Sequence, residues 1–369
     1  MRNPDMNDIP EAEQRYLRAA LQAATVARGF LAWMDGAIER LSPERSAALA
    51  EEARRLHADA LRGARAALDA SPPPTDLAPF ATRLDAGFGD VEQAFAHFVS
   101  QPDAPPMRRI GDILSAMHYV ARAQETFYAL RRALSPFAAY WVLPGVQVED
   151  PPAPTAPDAP PTGVMHVSAG GHHGGFAVYV PETYTTERPW PVIVALHGGS
   201  GNGDDFLWTW VREAKSLGYL LVAPTAVRDT WSEVDDVGLL EILSWLTRRY
   251  RVDDRRVLLT GLSDGGTYTL LYGLAHPDVY RALAPLCGVL HPANEALGNL
   301  GRARSVPIYL VHGAQDFLFP VALARLARDT LLNAGAALEY RELPELSHTY
   351  PRSENVRILR WFEALPRVP

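Results

Sequence analysis

The 369-residue sequence predicts an α/β protein with a mostly parallel central sheet, preceded by an all-α helical bundle. Three observations carry this reading. Up to about Leu143, apolar residues recur every three or four positions with a polar opposite face, the period of a helix packed on one side. From Val164 onward, near-continuous apolar runs of strand length alternate with helical stretches, the pattern of a parallel sheet covered on both faces. Between them lies "VEDPPAPTAPDAPPTG" (148–163), rich in Pro and Ala without an apolar period, which is semi-extended and cannot build a core. The expected organisation is a bundle over 1–143, a Pro/Ala-rich linker over 144–163 and an α/β domain over 164–369.

In the first region, "YLRAALQAATVARGFLAWM" (16–34) and "IGDILSAMHYVARAQETFYALRRAL" (110–134) are the clearest amphipathic helices. Breakers divide the region into about four segments. Ser42-Pro43 pairs an N-cap residue with a proline suited to a first helical turn; "SPPPTD" (71–76) ends the second helix and caps the third; "QPDAPP" (101–106) precedes the fourth. Four helices with short connections predict an up-and-down bundle.

In the second region, "MHVSAGGHHGGFAVYVP" reads as an antiparallel hairpin. The strand-length runs are "PVIVALH" (191–197), "YLLVAP" (219–224), "RVLLTGL" (256–262), "YRALAPLCGV" (280–289), "PIYLVHG" (307–313) and "ALEYRELP" (337–344). Helices such as "VGLLEILSWLTRRY" and "VALARLARDTLLNAG" separate them, and the connections are expected to be right-handed crossovers.

Composition narrows the function classes. The net charge is -8, and no basic run occurs, so neither nucleic acid nor an anionic membrane surface is an expected partner. Basic residues are almost all Arg, Lys215 being the only lysine, which reads as compositional bias. The single cysteine, Cys287, excludes an internal disulfide and a Cys-based zinc site and is expected as a small buried apolar residue. The first residues lack an apolar signal region, and no run of about eighteen uncharged apolar residues follows, so a soluble cytoplasmic protein is expected.

"TGLSDGG" (260–266) holds Gly-x-Ser-x-Gly, a spacing that chance supplies in roughly one chain in ten of this length. Its context is more specific. A buried-strand pattern precedes Gly261 and a helical pattern follows Ser263, the strand-turn-helix that lifts a serine hydroxyl above a sheet edge. Gly261 and Gly265 are required because a side chain two positions before or after the serine would collide across such a turn. A serine hydroxyl is a weak nucleophile, so a base and an orienting acid must accompany it. Both follow in the order Ser, Asp, His: Asp316 just past the strand of "IYLVHGAQDFLFP", and His348 in "LPELSHTYP", between the last strand and the final helix. His348 would accept the serine proton and return it to the leaving group, while Asp316 would fix its tautomer.

An oxyanion formed at Ser263 needs two N–H donors. One is the amide of Asp264, the residue after the serine; the other comes from "VIVALHGGSGNG", with Gly199 first and Ser200 as the alternative. Ser200 is also a candidate for substrate binding, as is Trp231 in "PTAVRDTWSEVDD", which follows a strand end and either lines an acyl pocket or packs under a loop.

With "LHGGSGNG", "DDRRVLLTGLSDGG", "VHGAQDFLFP" and "ELSHTYP" standing in this order, the region 164–366 resembles the α/β-hydrolase superfamily. Within it the motifs resemble serine esterases of the polyhydroxybutyrate-depolymerase-like, feruloyl-esterase-like and carboxylesterase/acyl-protein-thioesterase groups. The resemblance implies an α/β-hydrolase fold and hydrolysis of a small-molecule carboxylic ester or thioester through an acyl-serine, with no metal and no organic cofactor. A peptidase or amidase of the same clan is the alternative chemistry. An inactive hydrolase fold acting through its helical bundle is the alternative outside enzymes. In the favoured reading the bundle serves as lid, accessory or homo-oligomerisation element.

Other residues read more plainly. Glu295 is the weaker alternative acid. His172 and His173 are adjacent, so they face opposite sides of a strand, and without a carboxylate-rich motif nearby they do not form a metal site. His197 and His312 are expected to be structural, and Arg228 an exposed surface residue. The carboxylate of Asp264 is expected to point along the helix start, leaving only its amide for the substrate.

Overall fold

A computed structural model describes residues 10–101, 104–152, 159–167 and 174–366. The chain divides into two compact units, one ending at Tyr140 and one beginning at Trp141.

The first unit consists of α1 (Glu11–Glu39), α2 (Ser46–Asp69), α3 (Ala78–Phe98) and α4 (Pro106–Leu130). The three-and-four spacing is what it buries. Ala20, Ala23, Ala24, Ala27, Leu31 and Met34 of α1 turn inward with Leu84, Phe88 and Val91 of α3 and with Ile113, Ala116 and Val120 of α4. The small alanines allow close approach, and Phe30, Trp33, Phe95 and Phe98 fill the remaining space with edge-on ring contacts. The breakers act near the predicted places. Ser42 caps through Oγ, which accepts from the Arg45 amide at 3.2 Å, but the residues between form a turn, so α2 begins at Ser46. A short 3₁₀ turn at Thr75–Leu77 leads into α3.

The second unit has the α/β-hydrolase fold. Among the described residues its eight strands are β1 (Gly163–Val167), β2 (Phe176–Val180), β3 (Trp190–Leu196), β4 (Leu220–Pro224), β5 (Val252–Leu262), β6 (Ala282–Leu286), β7 (Ile308–Gly313) and β8 (Leu338–Leu343), in the order β1-β2-β4-β3-β5-β6-β7-β8. β1 and β2 form the expected antiparallel hairpin and β2 runs antiparallel to β4; all other pairs are parallel. His172 and His173, at the tip of the hairpin motif, lie outside the described residues. The helices are α5 (Gly203–Phe206), α6 (Val211–Leu217), α7 (Asp236–Arg249), α8 (Asp264–Ala275), α9 (Ala293–Ala296), α10 (Val321–Asn333) and α11 (Asn355–Ala364).

β3, β4, β6 and β7 are buried along their whole length, which explains their unbroken apolar sequences. β5 begins earlier than its apolar run, because the charged residues Asp253, Asp254 and Arg255 extend it where its register with β3 is irregular. β6 ends sooner than "YRALAPLCGV" suggests: Cys287, buried as expected, has φ +48° and turns the chain out of the strand. Lys215, the only lysine, is not a bystander. Its side chain is 3% exposed, and Nζ donates to Glu182 at 2.8 Å and to Asp150 at 3.3 Å. No helix among the described residues is long and apolar enough to cross a membrane.

Candidate active site

The parallel strands β3, β4, β5, β7 and β8 all end at the same edge of the sheet, and the candidate residues follow those ends. Ser263 sits between β5 and α8 with φ +56° and ψ -116°. A non-glycine residue persists in such a conformation only when its surroundings enforce it. Here the Ser263 amide donates to Leu286 O at 2.9 Å, and the flanking glycines let three segments close in. A Cβ on Gly261 would lie 2.5 Å from the Gly265 carbonyl, and one on Gly265 would lie 2.4 Å from Leu196 O. The steric reason inferred for these two glycines therefore holds, with the β3 backbone as the second obstacle.

The structure brings Ser263, His348 and Asp316 together. His348 Nε2 is 2.8 Å from Ser263 Oγ, and His348 Nδ1 is 2.7 Å from Asp316 Oδ2. A carboxylate can only accept, so Nδ1 carries the proton and Nε2 is left to accept from the serine hydroxyl. Asp316 is itself held, because Oδ1 accepts from the amides of Leu318 (2.9 Å) and Phe319 (2.7 Å), leaving Oδ2 for the histidine. Asp316 is 7% exposed, whereas the alternative acid Glu295 is exposed and lies in α9. The Phe319 ring meets the His348 ring edge-on at 5.2 Å, with Phe317 at 6.2 Å. Neither phenylalanine was singled out from the sequence. Their position directly after the acid was the available signal.

The region of the two expected N–H donors is built from β3 and the loop after β4. Asp264 is the first residue of α8, where helix geometry leaves its amide without an intrahelical acceptor. In the glycine loop, the Ser200 amide already donates to Asp229 O at 2.6 Å, and Ser200 has φ +57°. That closes off its amide as the alternative donor, and among the described hydrogen bonds the Gly199 amide has no acceptor. His197 is structural, as expected, and buried: Nε2 accepts from the Ala226 amide at 3.0 Å while Nδ1 donates to Gly198 O at 2.6 Å. Burial pushes its pKa down, which keeps the acceptor nitrogen free. His312, also buried, donates from Nε2 to Phe319 O at 2.8 Å. Arg228 is exposed.

Trp231 is 7% exposed. Its Nε1 donates to His197 O at 2.8 Å, and its ring stacks on Tyr268 of α8. Those are packing contacts under the loop. The Asp264 side chain departs from the expected direction. Its Oδ2 accepts from Thr230 Oγ1 at 2.9 Å and lies against Gly199, where an added Cβ would be 2.6 Å away.

The second unit thus has the α/β-hydrolase fold, with Ser263, Asp316 and His348 in the chain order of that fold's serine hydrolases. Comparison with known proteins agrees with the resemblance noted in the motifs. The family model described as Phospholipase/Carboxylesterase matches residues 241–363. A feruloyl esterase B from Talaromyces funiculosus is 25% identical over 127 residues, 30% of this chain and 35% of that protein. One from Talaromyces stipitatus is 27% identical over 143 residues, 35% and 39% of the two chains. The chain thus spans well under half the length of the curated relatives it matches. The solved structure of a thermostable esterase has 21% identity and a TM-score of 0.46, covering 54% of this chain and 62% of that one.

Proposed function

We propose that the second unit is a serine hydrolase of carboxylic esters or thioesters of small molecules. The observation that carries this reading is the Asp316–His348–Ser263 hydrogen-bond chain, with links of 2.7 and 2.8 Å, ending on a serine in a strained turn. In the proposed cycle Ser263 Oγ attacks the ester carbonyl carbon as its proton passes to His348 Nε2. The amides of Asp264 and Gly199 receive the negative charge on the carbonyl oxygen. His348 then returns the proton to the leaving alcohol or thiol, and an acyl-serine remains. Water, deprotonated by the same nitrogen, releases the acid and restores the serine. Asp316 keeps Nδ1 protonated and stabilises the imidazolium throughout.

The matched family description and the names of the relatives, feruloyl esterases among them, support ester bonds as the target. Phe317 and Phe319 beside His348 give one wall of the proposed site aromatic character. The first unit is proposed to act as lid, accessory or oligomerisation element. A fluorophosphonate probe tests the chemistry: the folded wild type is expected to label, and Ser263→Ala to label not at all. An unlabelled, folded wild type would overturn the proposal. A series of p-nitrophenyl esters of graded acyl length then reads the size of the pocket.

A further inference from the structure

The loop from Thr225 to Ser232 grips residues 197–200 at three points and reaches the nucleophile helix through Thr230 and, at its base, through Ser232 O, which accepts from Tyr268 Oη at 2.7 Å. The Ala226 amide donates to the His197 ring, Trp231 Nε1 donates to His197 O, and the Ser200 amide donates to Asp229 O. Thr230 Oγ1 donates to Asp264 Oδ2. The base of this loop is well tied: Thr225 Oγ1 accepts from the Gly203 amide, and the Asp235 carboxylate accepts from the amides of Val227 and Ser232. Its apex, residues 228–230, is exposed. Yet it is the apex that supplies Asp229 O, the acceptor holding Ser200 in a left-handed conformation that a residue with a Cβ adopts only under constraint. Ser200 follows Gly199, the candidate second donor. Gly199 lies in the turn closed by the Gly201 amide donating to Gly198 O at 3.1 Å, the apex adds the tie at Ser200, and the Thr230–Asp264 hydrogen bond fastens that apex to α8.

We propose that Asp264 is a positioning residue whose carboxylate, through Thr230, clamps the loop apex and thereby holds the Gly199 amide in line with the Asp264 amide. Both oxyanion donors are then set from one residue: its own amide directly, the other through Thr230, Asp229 O and Ser200. The same carboxylate rests against Gly199, in the space a Cβ would fill, so a side chain at 199 would push it away from Thr230. An anion beside a developing oxyanion is otherwise unfavourable. Its hydrogen bond to Thr230 gives it a reason to be there, and hydrogen bonding rather than charge is the property that matters.

This inference rests on the proposed acyl-serine chemistry, and the experiment separates the two. In the full-length protein, phosphonylation of Ser263 in the wild type tests the chemistry. Asp264→Ala and Thr230→Val test the clamp. Each is expected to lower kcat, and the rate of phosphonylation, by about 10- to 100-fold with little change in KM, somewhat less than outright loss of an oxyanion donor. The double variant is expected to be no worse than either single one, because both break the same link. Asp264→Asn and Thr230→Ser, which keep acceptor and donor, are expected to restore most of the rate. Hydrogen exchange at the Ser200 amide, which needs no turnover, is expected to accelerate in Asp264→Ala and Thr230→Val but not in the two conservative variants. A silent Thr230→Val, an Asp264→Asn as impaired as Asp264→Ala, or unchanged exchange at Ser200 would each overturn the clamp while leaving a labelled Ser263 in place.

Discussion

Ser263 Oγ and His348 Nε2 stand 2.8 Å apart although 85 residues separate them in the chain. The sheet makes that distance: Ser263 leaves β5, while His348 follows β8, and its ring is aimed by Asp316, which follows β7. If these three act as one unit, His348→Ala is expected to reduce turnover by about five to six orders of magnitude and Asp316→Asn by about four. Initial rates on an activated ester, with circular dichroism to establish folding, check both. Near-normal activity in either folded variant would remove that residue from the assignment.

The turn that carries Ser263 is expected to tolerate no methyl group at Gly265. A Cβ there would sit 2.4 Å from Leu196 O and 2.5 Å from His197 O, both backbone atoms of the β3 segment that cannot swing aside as a side-chain tip could. Gly265→Ala therefore forces α8 away from β3, at a cost of about 3 kcal/mol or more, the upper end for overpacking. Urea denaturation measures it. A change below about 0.5 kcal/mol would mean the turn is not held against β3 as described.

Much of this was legible in the sequence, for physical reasons that differ by element. Fully buried parallel strands must be apolar on both faces, so β3, β4 and β7 announce themselves. The glycines at 261 and 265 are readable because only a close backbone approach explains them together. The charged start of β5 carries no such signal, since Asp253 and Asp254 lie in the irregular stretch between the pairings of Val252 with Trp190 and of Val257 with Val192 and are not held by burial. The direction of the Asp264 side chain was equally hidden. Local rules send an aspartate at a helix start towards its own free amides, whereas here Thr230, 34 residues away, competes for it. Tertiary partners of exposed polar residues leave no periodic trace in a sequence.

His197 gives the second unit an acid limit. Its ring is buried and accepts from the Ala226 amide, and burial holds its pKa below the ordinary 6.5. Between 6.5 and the lower folded-state value, the unfolded chain binds a proton that the folded chain refuses. Stability from this group is thus fully present above 6.5 and falls as pH drops through that window. His57, half-buried between Phe30 and Trp33 in the first unit with its pKa also lowered by desolvation, contributes with the same sign. Comparing denaturation midpoints of wild type and His197→Asn across this range isolates the effect. The variant is expected to be less stable overall but with a flatter acid slope; identical slopes would show that His197 is not held neutral by folding.

The last expectation concerns where the second unit begins. If 144–163 served only as a linker, a fragment starting at residue 160 would be as stable as one starting at 141. The pairing of Lys215 argues otherwise. Its ammonium is almost wholly buried and has two carboxylates, Glu182 and Asp150, and the latter belongs to the proposed linker. Two further ties lie upstream: the Leu143 amide donates to Ser216 Oγ at 2.8 Å, and Trp141 packs on the buried Trp208. Removing one partner of a buried charge costs about 3–5 kcal/mol when nothing replaces it. With Glu182 retained, a loss of about 2 kcal/mol is expected for Asp150 and its neighbours together. Fragment 141–369 should therefore fold cooperatively, and fragment 160–369 should denature at distinctly lower urea. Equal midpoints would return 144–163 to the role of a passive connector, and failure of 141–369 to fold would mean that the second unit depends on the helical one for its stability.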